Sequence, residues 1–478
     1  MPHLYSPRCW LDNRLQPATI SFDNGIITHI YQGKLNNPNV VDVGDDVLMP
    51  GCIDVHAHIN EPGRTDWEGF DTATQAAAAG GITTVIDMPL NSSPVTTTVA
   101  AFEQKLAASN GKMHVNCGFY GGLVPDNLQH LTALVDAGVL GIKAFLVHSG
   151  IDEFPNVGRK ELDAAMAILA PYNVPLLAHC ENPPLAPPKG GEYCQENAPP
   201  LGGEHSSTEA NASDDEANAS PPFPKGGQGG DLSYAQYLAS RPKQWENDAV
   251  LLMIDLCRKH ACKTHIVHLS SAEALPYIAQ AKQEGLPLTV ETCPHYLLFS
   301  AETIPDGNTL YKCAPPIREA HNNNLIKQAF GSGLMDFVSS DHSPAPPAIK
   351  EIESGNLQKA WGGIAGLQFL LPASYTSLKE YVSLAQFIPL ITQKPAQFLG
   401  VDTKKGSIKV GYDADFTIWK PEASFVPTPQ DVLHRYPISP YIGQRLFGVV
   451  QQTYVNGVLV FNHHQIINKN AGQWLLRK

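Results

Sequence analysis

The feature that most constrains the fold is an alternation that repeats between residues 50 and 342. Short apolar runs, often rich in β-branched residues, alternate there with longer stretches of helix-forming composition, which is typical of strands and helices on a parallel sheet. There are eight such runs, at residues 52 to 58, 82 to 89, 114 to 121, 141 to 147, 174 to 180, 263 to 270, 286 to 293 and 335 to 343. Because a TIM-like (β/α)8 barrel needs eight strand and helix repeats, the sequence predicts an α/β fold with a barrel over residues 50 to 404.

The first helix of this barrel has readable ends. Thr65 and Glu68 have capping-box spacing, the following TQAAAA is a strong helix former, and Gly80 and Gly81 mark its end. We therefore predict a helix that begins just after the first apolar run.

Both chain ends differ from the barrel region. Residues 1 to 49 and about 405 to 478 consist of short alternating pieces broken by Gly, Pro, Asn and Asp, and Asn456-Gly457 lies between two such pieces as in a hairpin. The two ends are predicted to pair into one small β-domain.

A third kind of sequence occupies about residues 183 to 230. It repeats a Pro-Pro to Gly-Gly theme around the polar tract EHSSTEANASDDEANAS, and few of its residues could be buried. We expect a flexible low-complexity insertion that loops outward after the fifth strand. Cys194 and His205 within it are expected to be inert, because metal sites need rigid support.

Composition excludes several kinds of partner. The formal net charge of -13 argues against nucleic acid and anionic membrane surfaces, which favours a small-molecule substrate. The N-terminal segment lacks a signal-peptide pattern and no run of apolar residues is long enough to span a bilayer. The nine cysteines are scattered singly, so we expect a cytoplasmic protein without disulfides.

Polar side chains collect where the predicted strands end. Six of them, on five strands, are His56, His58, Lys143, His179, His268 and Asp341. His56 and His58 alternate and share one face, although alone such a pair is as readily an accident. Lys143 lies in an apolar strand where an ammonium is costly to bury, unless its end reaches water. Together the six face the C-terminal end of the barrel, where barrel enzymes bind substrate, and this indicates a metal site.

Imidazole and carboxylate ligands suit zinc, with manganese, cobalt or iron as alternatives. A buried lysine with a lowered pKa can capture carbon dioxide as a carbamate, an anion able to bridge two cations. Two divalent ions sharing this carbamate and a water molecule would supply a hydroxide nucleophile. The expected chemistry is hydrolysis of a carbonyl compound.

Longer motifs resemble the cyclic amidohydrolases. They are DVHAHINEPG, GIKAF, HCE, HIVHLSSAEAL, VETCPHYL, KCAPPIRE and DFVSSDHSP, and they look most like the members that act on allantoin. The resemblance covers about residues 48 to 182 and 231 to 415. It implies a β-sandwich beside the barrel, a binuclear metal centre, and hydrolysis of the hydantoin ring of allantoin to allantoate, a step of purine degradation. Family members are often homotetramers.

The resemblance also implies a role for each of the six residues. The family pattern places His56, His58 and Asp341 on the first ion, His179 and His268 on the second, and carboxylated Lys143 on both. Asp341 would carry a proton from the attacking water to the leaving ring nitrogen. His265 should point away from the ions or lie a layer lower. Four further residues are expected to orient the ligands: His148, Glu181, Glu291 and His295.

Asn60 bears on the substrate. Dihydroorotase, a relative, has an arginine there that grips a substrate carboxylate, and it has an asparagine at the position of Ala314. Losing that charge-assisted pair costs about 2 to 3 kcal/mol, so Asn60 indicates a substrate without a carboxylate. Arg64 is the other cation that could bind a substrate carboxylate from this turn, although we expect its side chain to make contacts within the loop instead. Dihydroorotase or hydantoinase activity, and a non-catalytic scaffold, remain the competing readings.

Two further residues are candidates for contacting the substrate. Asn91 ends the second strand and is suited to hydrogen bonding with ureido or ring amide groups, with turn formation an equal alternative. Ser343 is a weaker candidate for the same task.

Overall fold

The computed structural model describes residues 2 to 183 and 233 to 478. The predicted insertion, including Cys194 and His205, lies outside the described residues except for Pro183 at its start.

Strands and α-helices are numbered here in chain order over the described residues. The strands are β1 (His3–Leu11), β2 (Arg14–Asp23), β3 (Ile26–Gln32), β4 (Val40–Asp42), β5 (Val47–Pro50), β6 (Cys52–Ala57), β7 (Ile82–Asp87), β8 (Asn116–Phe119), β9 (Gly121–Gly122), β10 (Ile142–Phe145), β11 (Leu176–His179), β12 (Thr264–Ile266), β13 (Leu288–Thr292), β14 (Phe337–Val338), β15 (Phe416–Phe425), β16 (Leu446–Val455), β17 (Val458–Asn462), β18 (Gln465–Ile466) and β19 (Trp474–Leu475). The helices are α1 (Phe70–Ala79), α2 (Val99–Ser109), α3 (Leu131–Ala137), α4 (Arg159–Leu169), α5 (Tyr234–Ala239), α6 (Lys243–His260), α7 (Leu275–Gln283), α8 (Pro294–Leu298), α9 (Ala320–Gly331), α10 (Leu370–Leu378), α11 (Leu384–Ile391) and α12 (Gln393–Leu399).

All eight predicted barrel strands form. Strands β6, β7 and β8 pair in parallel, and β9 through β14 continue the parallel order. Leu140 N donates to Phe119 O at 2.9 Å across the step from β8 to β10. At the other end a parallel bridge joins Ala57 to His342, and His58 N donates to His342 O at 2.7 Å. The prediction of a TIM-like barrel is confirmed.

Outer helices pack on the barrel through apolar stripes. In α4 the stripe consists of Leu162, Ala165, Met166 and Leu169, all buried. This is the i, i+3, i+4, i+7 spacing of one helix face, so one face of the helix packs on the outside of the barrel. The helices thus cover the sides of the strands, and the C-terminal ends of the strands stay free to carry polar side chains.

The predicted start of the first helix was wrong. Helix α1 begins at Phe70, five residues after Thr65, and its N-cap Gly69 makes no side-chain capping bond. Instead the Glu61 carboxylate accepts a hydrogen bond from Phe70 N at 2.9 Å. A carboxylate from the preceding turn thus satisfies a free N–H of the first helical turn. The predicted end was right, because the helix stops at Ala79.

Both chain ends meet in a small β-sandwich domain. Its sheet runs in the order β18-β17-β16-β15-β5-β1-β2-β3, with β4 also paired to β1. The predicted hairpin joins β16 to β17, with Asn456 and Gly457 both at positive φ. Antiparallel pairing of β5 with β15 links the N-terminal and C-terminal parts.

The last strand departs from this arrangement, because β19 pairs in parallel with β8 and so extends a barrel sheet. No helix of the described residues is long and apolar enough to cross a membrane.

Candidate metal centre

The six predicted ligands lie together near the C-terminal ends of the barrel strands, with Lys143 two residues before the end of β10. Each is between 0% and 8% exposed: His56, His58, Lys143, His179, His268 and Asp341. Since the strands run in parallel, their C-terminal ends share one rim, and residues from distant parts of the sequence meet there.

One group at this rim has the spacing of a metal site. His56 Nε2 and His58 Nε2 lie 3.2 and 3.5 Å from Asp341 Oδ1. One ligand atom from each of the three residues lies within 4.8 Å of the other two, and all three residues are buried. Two imidazoles and a carboxylate in this arrangement could hold a divalent ion.

The electrostatics put His58 and Asp341 in the forms that bind metal. Burial lowers the pKa of His58 to about 4, so its imidazole is neutral at neutral pH. Burial alone would raise the pKa of Asp341, but the neighbouring His56 and His58 outweigh it and hold that pKa well below its usual range. A neutral imidazole and an ionised carboxylate are the forms that ligate a cation.

Beside this group lie the two histidines expected to hold a second ion. The ring centroids of His179 and His268 are 4.5 Å apart, and those of His56 and His268 are 5.5 Å apart. Phe145 stacks on the His179 ring at 4.6 Å. Burial lowers the pKa of both His179 and His268, so these rings are also neutral.

Carboxylates orient one histidine of each group. Glu291 Oε1 lies 2.6 Å from His56 Nδ1, and Glu181 Oε2 lies 2.9 Å from His179 Nε2. An ionised carboxylate only accepts hydrogen bonds, so each of these nitrogens carries a proton, and in a neutral ring the lone pair is then on the opposite nitrogen. His56 Nε2 is indeed buried without a hydrogen-bond partner in the described structure. Glu181 and Glu291 thus make the predicted contacts with these histidines, and their role in orienting metal ligands stays a prediction.

Arg241 is a contributor that sequence reasoning missed. Its Nη1 donates to Glu181 Oε2 at 2.8 Å. Burial would raise the pKa of Glu181, but Arg241 and His179 bring it down to about 2. The ASRP segment that contains Arg241 follows the low-complexity insertion, so nothing local in the sequence links it to Glu181.

Lys143 is an unsatisfied polar group of the site. Its Nζ is buried, has no hydrogen-bond partner in the described structure, and lies 4.9 Å from the centroid of the Phe145 ring. Burial lowers the pKa of Lys143 from 10.5 to about 8. An orphaned buried amine is unfavourable, and its neutral form is the one that reacts with carbon dioxide. These properties fit a lysine that becomes a bridging carbamate.

The remaining histidines divide into different environments. His265 is outside both groups of possible metal ligands among the described residues; its Nε2 lies 3.3 Å from Glu291 Oε2 and its ring stacks on Phe337. His295 is buried beside Asp341, and neither ring nitrogen has a hydrogen-bond partner in the described structure. His148, which was expected to orient a metal ligand, contacts its own loop instead, because its Nδ1 accepts a hydrogen bond from Gly150 N at 3.1 Å.

Asn60 and Asn91 each combine a turn with an unsatisfied amide. Both are buried, with φ of 68° and 69°, a left-handed conformation that asparagine tolerates. Each Oδ1 is buried and unpaired among the described residues. Asn60 Nδ2 donates to Pro344 O at 3.4 Å, which ties the turn after β6 to the loop after β14.

Arg64 and Ser343 serve loops in this structure. Arg64 Nη2 pairs with Glu153 at 2.8 Å and its Nη1 donates to Asn91 O at 3.0 Å, in keeping with the loop role expected from the sequence. Ser343 is buried, and its N donates to Ile364 O at 2.9 Å. Its hydroxyl remains a candidate for contacting substrate.

Comparison with known proteins places this geometry in context. Residues 47 to 460 match the amidohydrolase family. The chain is 40% identical to an allantoinase of Streptomyces avermitilis, over 95% of this chain and 94% of the relative. It is 39% identical to an allantoinase of Arabidopsis thaliana, over 96% of this chain and 89% of that one. Its fold is similar to the solved structure of an L-hydantoinase (dihydropyrimidinase) from Arthrobacter aurescens, with TM-score 0.85, 26% identity and 100% of both chains covered.

Proposed function

The chain belongs to the amidohydrolase family, and we propose that its reaction within that family is the hydrolysis of the hydantoin ring of allantoin to allantoate. The observation that carries this proposal is the likeness to enzymes named allantoinase over nearly the whole chain. The enzyme is therefore a hydrolase of a cyclic amide bond.

The proposed cofactor is a pair of divalent ions, with zinc favoured by the donor set and manganese, cobalt and iron as alternatives. His56, His58 and Asp341 would hold one ion, His179 and His268 the other, and carboxylated Lys143 both. The support for this assignment is the cluster of buried imidazoles around an ionised carboxylate, together with the unpaired amine. When bound, such ions lower the pKa of a water molecule and polarise a carbonyl group.

Asp341 is proposed to move the proton. Its carboxylate is ionised and lies against two imidazoles, so it is able to accept a proton from the attacking water. It then delivers that proton to the ring nitrogen that leaves as the amide bond breaks. Glu181 and Glu291 keep His179 and His56 in the required tautomers through the hydrogen bonds described above.

The arginines around the rim favour a substrate without a carboxylate. Asn60 is neutral, and three nearby arginines are each paired with a carboxylate: Arg64 with Glu153, Arg241 with Glu181 and Arg318 with Glu246. Allantoin, which is uncharged, suits such a site. Dihydroorotate carries a carboxylate that would have to compete with these existing pairs.

A hydantoinase is the second candidate, favoured by the likeness to the hydantoinase structure and because hydantoin also lacks a carboxylate. The deciding experiment loads the protein with zinc and bicarbonate and measures hydrolysis of allantoin, hydantoin and dihydroorotate separately. Allantoin should give a kcat/KM at least about tenfold above the other two, since each lost pair of hydrogen bonds is worth about 1 to 3 kcal/mol. A higher value for hydantoin would replace the proposed substrate.

Lys143→Ala provides the control for this assay. It should fold, bind little metal and show almost no turnover of any of the three substrates. Full metal content and turnover in that variant would contradict the carbamate.

Assembly and location are proposals as well. We propose a cytoplasmic homotetramer, by analogy with the family; light scattering coupled to gel filtration would report the mass in solution, and a monomer or dimer mass would rule out the tetramer.

A further inference from the structure

A second cluster of metal-binding side chains adjoins the proposed centre. Cys293 directly follows β13, His295 lies in the first turn of α8, and Asp341 follows β14. One ligand atom from each of the three lies within 4.8 Å of the other two, and all three residues are buried. Cys293 is a free thiol. The role proposed for the metal pair uses Asp341 but neither Cys293 nor His295.

His295 supplies an independent reason to expect a ligand. The residue is 0% exposed, and both of its ring nitrogens are buried without a hydrogen-bond partner in the described structure. Buried polar groups nearly always have a partner, and a buried imidazole has at least one N–H and one lone pair or a second N–H to satisfy. A cation beside His295 would satisfy the lone pair.

The donor set indicates which cation. Donors held tetrahedrally by one zinc ion lie roughly 3 to 4 Å apart, so the observed group needs only small side-chain rotations to close on an ion. A thiolate is a soft ligand that favours zinc and similar soft ions over magnesium or manganese. Asp341 belongs to both groups, and a carboxylate has two oxygens with which to contact two cations.

We propose that Cys293, His295 and Asp341 form a third, inhibitory cation site that takes a soft divalent ion such as zinc or cadmium. Binding forms a bond from Sγ to the ion and releases the thiol proton to solvent. The ion also engages the Asp341 carboxylate, which is then unable to take the proton of the attacking water. The inhibitory effect rests on the role proposed above for Asp341, whereas the binding itself does not.

The test uses protein whose metal pair has been loaded with manganese, a harder ion. Cadmium chloride is added stepwise while two signals are followed: the ultraviolet charge-transfer absorbance of a cadmium–thiolate bond, and the rate of allantoin hydrolysis. We expect the absorbance to rise and the rate to fall at the same cadmium concentrations.

Variants distinguish cadmium binding at the third site from replacement of the manganese pair by cadmium. Cys293→Ser and Cys293→Ala remove the soft ligand, and each should lose the absorbance and raise the inhibition constant for cadmium at least about tenfold, since even outer-shell partners of a metal are worth 10- to 100-fold. Cys180→Ala is the matched control, because this buried thiol lies beside His179 but outside the cluster. It should keep the absorbance and the wild-type inhibition constant.

Two results would overturn the proposal. One is an unchanged inhibition constant in both Cys293 variants; the other is the absence of a cadmium–thiolate band in the wild-type chain, which needs no variant to fold. If instead the band appears but no cyclic amide is hydrolysed, the third site stands and the proposed function fails.

Discussion

Lys143 should make the metal-free chain less stable than an apolar side chain of similar length would. Its Nζ is buried without a partner in the described structure, and burial lowers its pKa from 10.5 to about 8. Each pKa unit corresponds to about 1.4 kcal/mol, so the buried ammonium costs about 3 kcal/mol below pH 8. Lys143→Met should therefore raise the free energy of unfolding by up to about 3 kcal/mol at about pH 7.

The pH dependence of this difference has a definite sign. The pKa of Lys143 is lower in the folded than in the unfolded chain, so the folded chain binds fewer protons between about pH 8 and 10.5. Stability of the wild-type chain then rises with pH over that interval. The advantage of Lys143→Met should be complete below about pH 8 and vanish toward pH 10.5.

Guanidinium unfolding followed by tryptophan fluorescence measures this effect, on protein freed of metal and bicarbonate. The same variant, offered zinc and bicarbonate, should retain much less metal than the wild type. Lys143→Met should thus raise the free energy of unfolding of the metal-free chain and lower its affinity for metal.

Lys405→Met is the matched control. Lys405 is also buried, but its Nζ lies 2.6 Å from Asp415 and 2.9 Å from Asp413. Burial would lower the pKa of Lys405, and these two carboxylates raise it instead. Removing one member of a buried ion pair costs about 3 to 5 kcal/mol, so this variant should lose stability. Equal losses in the two variants would refute the reasoning, because Lys143 would then have a stabilising partner.

Three further predictions concern the site. Asn60→Gly keeps the left-handed backbone (φ of 68°) but removes the amide, so kcat/KM for allantoin should fall about tenfold with metal content unchanged; an unaltered kcat/KM would exclude Asn60 from the substrate site. Glu291→Gln should weaken metal binding roughly 10- to 100-fold, as judged by chelator competition. Burial would raise the pKa of Glu291, but His265 and His56 lower it from 4.5 to about 2. The ionised Glu291 carboxylate therefore stabilises the folded chain above about pH 4.5, and this stabilisation is lost as the pH falls through about 2. In urea unfolding, the metal-free Glu291→Gln variant should not show this loss of stability at acid pH. Chelation should abolish turnover, with zinc restoring it fully only when bicarbonate is added; full recovery in carbon dioxide-free buffer would contradict the bridging carbamate.

Much of the barrel could be predicted because its signals are local. A strand between helices is recognisable from a few apolar, β-branched residues, and parallel order brings every C-terminal end to one rim. Placing His268 and Asp341 near each other therefore needed only strand boundaries, and no knowledge of packing. The start of α1 was missed because its capping carboxylate, Glu61, comes from the preceding turn and not from the capping-box positions.

What the sequence by itself determined is the architecture and the set of candidate ligands, since both follow from short-range patterns of side-chain chemistry. Only the tertiary structure decided the pairings between distant residues. Glu291 reaches His56 across 235 positions, Arg241 holds Glu181 from beyond the insertion, and Cys293 lies close to Asp341. These contacts depend on the directions and distances of side chains on neighbouring strands, which no local pattern encodes.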